Sequence, residues 1–445
     1  MKYSLKINKE RGTLISSFFI FSSLFIFYDV PWGLMDDYRW IESTKEFLND
    51  PRTYIDDQKY RIREIGMIQP FLFLQYLFQY LPGITFGKMF TFIPNILLIL
   101  VIHYYSYIIF KEKLRINYLS SLLIFLIYPY TTDMFFLPSL QEKFSFLIFL
   151  ILLQKINKNT TLNKKYFLTL FLLSLAIPLV KLQGSIFFIF FLFYFLLKRS
   201  IEGYFVLSGF ILGILLQGYV IFFQNSHYYN VNSTAENILD NILQVQNIFF
   251  LFFIFLSLLL TITEKDKETK YLIFGICGSG LALIFLYINW ETYGYLMSFY
   301  AFFIALLIPY NIEQIIRVLN FKVFLNLVTP VLLIFSLLSL YLFFIPRIER
   351  WSDLNDVYTS LDNVLLDEEI FYCGSEGALT FNNLNNTKNE VTHISNFSEL
   401  KTKDFFFIND DMQCSYFEEA LIDNCTINQE IKSTYKRVEI IKYSC

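Results

Sequence analysis

Two adjacent carboxylates, Asp36 and Asp37, stand in DVPWGLMDDYRW, directly after an apolar stretch of bilayer-crossing length. A carboxylate at such a boundary can remove a proton from a hydroxyl or ligate a metal. Asp is also a common helix N-cap, so the pair has a plain structural reading as well. More ionisable groups lie near the ends of other apolar runs: Asp133, Glu142 and Lys143 in YTTDMFFLPSLQEK, Lys181 in PLVKLQG, Glu291 and Tyr293 in NWETYGY, and Arg61 and Arg63 in KYRIRE. Carboxylates and cations in one cleft suit transfer from a phosphate-bearing donor, in which a base takes the acceptor's proton and cations hold the departing phosphate. Asp36, Asp37, Asp133 and Glu142 are then the candidate catalytic carboxylates. Lys181, Arg61 and Arg63 are candidate phosphate ligands, and Glu291 and Tyr293 are candidates for the sugar or acceptor. For the two arginines the competing reading is snorkelling at an interface or a structural ion pair. Lys181, beside Gly184 and between two short apolar runs, interrupts the chain in a way snorkelling alone does not explain. His103, inside an apolar run, reads as a packing residue. No His or Asp cluster has clear ligand spacing, which leaves the cofactor unknown and a divalent metal open.

The elements that must position these groups are read from composition. Of the 445 residues, 55% are hydrophobic, with 53 Phe and 31 Tyr, far above a typical globular chain. The apolar residues come in long runs, such as SIFFIFFLFYFLL and NIFFLFFIFLSLLL, that do not alternate as barrel strands would. Hydropathy proposes spans near residues 13–30, 87–110, 117–132, 144–154, 166–180, 185–197, 203–224, 247–262, 271–289, 295–310 and 323–345, so the expectation is an all-α polytopic membrane bundle of about 11 transmembrane helices. One helix from 166 to 197 would be roughly 48 Å long against a hydrocarbon core of about 30 Å, which predicts a break near Lys181. Basic residues such as Lys111, Lys113, Arg115, Lys155, Lys164, Lys198 and Lys265 fall in alternate loops. That places the N-terminus in the cytoplasm of a multi-pass membrane protein. The N-terminal run has no small-residue cleavage site and reads as a retained first helix. Residues 31–86 become a first outer loop, with GMIQPFLFLQYLFQYLP, carrying Gln69, Gln75 and Gln79 and ending at Pro82-Gly83, laid along the interface. A net charge of -3 without a polybasic tail argues against a nucleic-acid partner.

After Pro346 the composition turns polar. Residues 1–345 read as the transmembrane domain and 346–445 as a small extracytoplasmic α/β domain. Trp351, Leu354, Val357, Leu361 and Leu365 share one helical face, EIFYC, DFFFI and RVEIIKY are strand-like, and Tyr416 to Ile422 is helical in pattern. Cys373, Cys414, Cys425 and Cys445 all fall here and predict disulfides, with three connectivities open and Cys414 and Cys425 the nearest pair in sequence. Cys277, in GICGSG, reads as helix packing.

This order of features resembles the GT-C superfamily of membrane glycosyltransferases: a first helix, a long outer loop opening with the acidic pair Asp36-Asp37, an acidic second loop (Asp133, Glu142), a Lys-Gly turn (Lys181, Gly184) and an outward C-terminal domain. Within it, DDYRW followed by REIGMIQPFLFLQYLF is similar to the bacterial serotype-conversion glucosyltransferases. The resemblance implies a polyprenyl-phosphate sugar as donor, a glycan or lipid-linked acceptor, the membrane lipids of a bacterial inner membrane as surroundings, and transfer with inversion. It implies Asp36 or Asp37 as the base, Lys181 on the lipid phosphate and Glu142 near the acceptor. Two other functions compete. A polysaccharide polymerase or ligase would lean on Arg61 and Arg63, and a non-enzymatic lipid or glycan transporter would show internal repeats and broken central helices that the sequence lacks.

Overall fold

Long apolar runs without strand alternation form helices here, and the polar last hundred residues contain the strands. The computed structural model describes residues 44–51, 69–87, 89–109, 142–157, 163–180, 182–223, 245–286, 310–318, 345–361, 369–373, 391–394, 404–411 and 414–445, with the single residues 307, 334, 341 and 400. In chain order the helices are α1 (Gln69–Phe86), α2 (Met89–Ile108), α3 (Glu142–Asn157), α4 (Lys164–Val180), α5 (Ile186–Lys198), α6 (Glu202–Phe223), α7 (Val245–Thr263), α8 (Lys267–Leu286), α9 (Ile345–Leu361) and α10 (Ser415–Asn424). The strands are β1 (Ile370–Tyr372), β2 (Val391–His393), β3 (Asp404–Asp410), β4 (Thr426–Ile431) and β5 (Val438–Ser444).

Local signals fix several helix ends. The side chain of Asn163 accepts the Tyr166 amide at 2.8 Å and so caps α4. The Tyr166 hydroxyl reaches back to the Lys155 carbonyl at the end of α3, at 3.4 Å. Gly87, at φ 110, turns the chain between α1 and α2 in a conformation L side chains rarely adopt. α4 stops at Val180, a 3-10 turn occupies Leu182–Ser185, and α5 begins at Ile186, so the chain breaks where the length estimate puts it. α1 differs from expectation: it continues through Pro82 to Phe86 instead of ending at Pro82-Gly83.

α5 sits at the centre of the helical packing. Ile186, Phe187, Phe190, Phe191, Tyr194 and Phe195 are buried along it, the recurrence of one helical face. Phe187 stacks on Phe149 of α3 with centroids 4.1 Å apart, and Phe191 meets Phe210 of α6 at 5.7 Å. On its other side α8 brings in Gly275, where an added Cβ would lie 2.9 Å from the Phe190 carbonyl. α4 and α6 approach equally closely. A Cβ at Gly213 would lie 2.5 Å from Pro178 Cγ and 2.8 Å from the Leu175 carbonyl. At the far end, Tyr194 donates to Glu268 at 3.0 Å and Lys198 stands 3.8 Å from the same carboxylate, joining the last turn of α5 to the first turn of α8.

The expected polytopic membrane bundle is corrected by the helices themselves: among the described residues no helix is long and apolar enough to cross a membrane. α3, α4 and α5 have 16, 17 and 13 residues, and at about 1.5 Å per residue they span roughly 20 to 26 Å against a hydrocarbon core of about 30 Å. α1 carries Gln69, Gln75, Gln79 and Pro82, and α8 opens on Lys267, Glu268 and Lys270. For the longer α6 and α7, of 22 and 19 residues, the finding holds over the residues described. The windows at 87–110, 144–154, 166–180, 185–197, 203–224, 247–262 and 271–289 coincide with helices α2 to α8; what changes is their reading as membrane spans. The multi-pass inner-membrane localisation, with cytoplasmic N-terminus and extracytoplasmic C-terminal domain, rested on those spans and is corrected with them.

The C-terminal residues form a mixed five-stranded sheet of order β2-β1-β3-β5-β4, parallel across β2, β1 and β3 and antiparallel from β3 through β5 to β4. In β3, residues 405 to 410 are buried on both faces, as a covered central strand requires. α9 packs on β5 through polar ties. Asp353 accepts the amides of Tyr435 at 2.8 Å and Val438 at 3.3 Å, and Asp356 accepts the Thr434 amide at 3.1 Å. Arg350 of α9 donates to both Asp410 oxygens from Nε, at 2.8 and 3.0 Å, and from Nη2 to Oδ2 at 2.7 Å, and the Tyr372 hydroxyl adds a bond at 3.0 Å. Asp410 is fully buried, so this fork neutralises a carboxylate that could not otherwise leave water. Nearby, burial holds Asp411 above the usual carboxylate range against the opposing pull of Arg437. The disulfides are Cys373–Cys414 and Cys425–Cys445. Cys414 and Cys425, nearest in sequence, cap opposite ends of α10, whose 10 residues hold them about 15 Å apart, beyond disulfide reach.

Two predictions follow from this packing. Gly213→Val, which drives a branched side chain into Pro178 and the Leu175 carbonyl, lowers stability by about 2 kcal/mol or more, whereas Gly218→Ala on the same helix, with nothing within 4 Å of the added carbon, raises it by up to about 1 kcal/mol; denaturant melts of both variants test the pair. Arg350→Ala strands the buried Asp410 carboxylate and costs about 3–5 kcal/mol, read as a lowered unfolding midpoint with the disulfides intact.

Candidate functional site

Most of the residues singled out by their chemistry lie outside the described residues: Asp36, Asp37, Arg61, Arg63, Asp133, Lys181, Glu291 and Tyr293. Glu142 is the first residue of α3. Lys181 falls between Val180, the last residue of α4, and Leu182, the first of the 3-10 turn. The described chain therefore places the neighbourhood of two candidates, Glu142 and Lys181, at one end of the helical core.

The chemistry at that end centres on Lys143, the second residue of α3. Its side chain is fully buried, and Nζ donates to the Asn95 Oδ1 of α2 at 2.6 Å; Asn95 is itself fully buried. A buried ammonium is costly unless hydrogen-bonded. Its position in the first turn of α3 adds the positive end of the helix dipole to its own charge. A helix N-terminus and an ammonium are both groups that suit an anion.

A close backbone approach brings the α4–α5 turn to this point. At Gly184 an added Cβ would lie 2.9 Å from Ile177 Cγ2, 3.0 Å from the Ile177 carbonyl and 3.2 Å from Ser145 Oγ. Only glycine lets the turn settle there. Ser145, two residues after Lys143, donates its hydroxyl to the same Ile177 carbonyl at 3.3 Å. The turn carrying Ser185 therefore adjoins the first turn of α3. Ser185 Oγ is buried without a hydrogen-bond partner, and it makes no cap bond to α5. A hydroxyl free to donate on a turn that adjoins the first turn of α3 suits a phosphate oxygen.

α1 closes the other side. Tyr80 and Val180, both buried, pack together with Ile84, Phe144 and Ile148 around them, so α1 lies against the first turns of α3 and the end of α4. In the sequence Lys143 stands among the ionisable groups with no role attached. Neither its burial nor its partner was visible, because Asn95 lies 48 residues away. Asn95 and Ser185 carried no sequence signal at all. Elsewhere, burial raises the Cys277 thiol well above its ordinary value, which removes it as a nucleophile and agrees with a packing role. Among the described residues no group of three or more His, Cys, Asp or Glu is placed to hold a metal ion.

Asn95→Leu removes one acceptor from the buried ammonium and costs about 1–3 kcal/mol of stability, and the same substitution costs less in a Lys143→Met background. A double-mutant cycle in denaturant checks this, and additive losses would show that the two side chains are not coupled. Comparison of the chain with protein-family models, with curated proteins and with solved structures returns no match in any of the three.

Proposed function

We propose that this chain is a glycosyltransferase that takes a sugar from a polyprenyl-phosphate donor and passes it to a glycan or lipid-linked acceptor. The observation that supports the reading best is the fully buried Lys143, oriented by Asn95 at 2.6 Å in the first turn of α3. It offers fixed positive charge where a phosphate would gain the negative charge of a leaving group. In the reaction, an acceptor hydroxyl loses its proton to Asp36 or Asp37 and its oxygen bonds to the anomeric carbon. The bond from that carbon to the phosphate oxygen breaks, and polyprenyl phosphate departs with the electron pair. Lys143, the Ser185 hydroxyl and Lys181 carry the charge that develops there. An isoprenoid chain also needs an apolar surface, and α4 and α6, which pack together, expose Leu168, Leu172, Ile211 and Leu215.

The test is transfer of a radiolabelled sugar from polyprenyl phosphate to a lipid-linked acceptor extract. Wild type transfers label, while Lys143→Met and the Asp36→Asn/Asp37→Asn double variant each lose activity by roughly a hundredfold or more. Absence of transfer by wild type from every common sugar donor would overturn the reading and favour a polymerase, a ligase or a transporter.

A further inference from the structure

Gln79 stands on α1, immediately before the Tyr80 that packs against Val180 with Phe144 and Ile148 alongside. Phe144 follows Lys143 directly, so α1, the helix that carries Gln79, packs over the first turn of α3. Its side chain is fully buried, and neither Nε2 nor Oε1 has a hydrogen-bond partner. A buried primary amide without any bond is rare in a folded protein, because two donors and an acceptor are taken from water with nothing in return. The simplest way to keep such a group is for a ligand to complete it.

The kind of ligand follows from what an amide offers. A phosphate could use the Nε2 donors but would be repelled by Oε1, and an isoprenoid chain could use neither. A pair of sugar hydroxyls matches both, since each hydroxyl donates and accepts. Gln79 also sits on the element best suited to admit a ligand. Phe78, Leu81 and Phe86 on the same helix are exposed, α1 contains Pro82, which removes one backbone hydrogen bond, and it joins α2 through Gly87.

We propose that Gln79 is the residue that recognises the donor sugar, its amide hydrogen-bonding two hydroxyls of the sugar whose phosphate lies at Lys143. This rests on the reading of the Lys143 site as a phosphate site, and the experiment separates the two. The probes are farnesyl phosphate and its glucosyl, galactosyl and N-acetylglucosaminyl esters, titrated against full-length wild type, Gln79→Leu and Lys143→Met. Wild type binds one sugar ester at least roughly tenfold tighter than bare farnesyl phosphate, the worth of about one to two good hydrogen bonds. Gln79→Leu loses that preference while its affinity for bare farnesyl phosphate holds, and Lys143→Met weakens every probe. Gln79→Leu is close in volume and removes an unpaired buried amide, so its thermal midpoint does not fall, and loss of preference cannot come from unfolding. A preference that survives in Gln79→Leu, or its absence from wild type while bare farnesyl phosphate still binds through Lys143, overturns the Gln79 assignment and leaves the phosphate reading standing. Equal binding of bare farnesyl phosphate by wild type and Lys143→Met overturns the phosphate reading and this inference with it.

Discussion

The contact at Gly184 governs the geometry of the candidate site. Because that residue has no Cβ, the turn after α4 closes onto Ile177 and Ser145, with an imagined Cβ only 2.9 to 3.2 Å from their atoms. That approach fixes where α5 begins and brings Ser185 beside the first turn of α3. α5 in turn carries the phenylalanines around which α3, α6 and α8 pack. A larger residue at position 184 would push α5 away from α3, disturbing the Phe149–Phe187 stack and the setting of Lys143 together. Packing and site are coupled through one small residue.

The positions of most described elements could be read from the chain, but the fold class could not: the expected membrane bundle is overturned by the helices. The break near Lys181 is expected because one continuous helix exceeds a hydrocarbon core of about 30 Å; the helices do stop and restart there, although the membrane premise is overturned. In the C-terminal residues, EIFYC, DFFFI and RVEIIKY stand out because dense β-branched and aromatic runs flank polar turns, and they become β1, β3 and β5. β2 and β4 were not legible. VTH is three residues long, and TINQEI is an edge strand exposed along most of its length, so no burial pattern marks it. The span reading failed for a related reason. Hydropathy scores apolar content, whereas crossing a membrane also demands length, and α3 to α5 are short helices serving an aromatic core.

The site was legible only as a list of chemical groups. Sequence singles out ionisable residues near the ends of apolar runs, and this gives roles to Glu142 and Lys181 but none to Lys143. What ranks Lys143 is burial and a hydrogen bond to Asn95 on another helix, both products of tertiary packing. Gln79 was visible as a polar residue in an apolar segment and was read as interfacial. Its full burial without a hydrogen bond reverses that reading. The C-terminal sheet is stabilised differently, by a buried Arg350–Asp410 fork and two disulfides at the ends of α10. Disulfides constrain the unfolded chain and persist in oxidising surroundings.

The central claim is that Lys143 supplies positive charge to a phosphate, and the most direct measurement is the protonation of that phosphate. Phosphorus NMR of farnesyl phosphate bound to the full-length protein, followed against pH, reports its second ionisation. A buried ammonium in contact favours the dianion, so the bound phosphate should titrate clearly below its free value in wild type and return towards it in Lys143→Met. Identical titration in the two proteins would contradict the account.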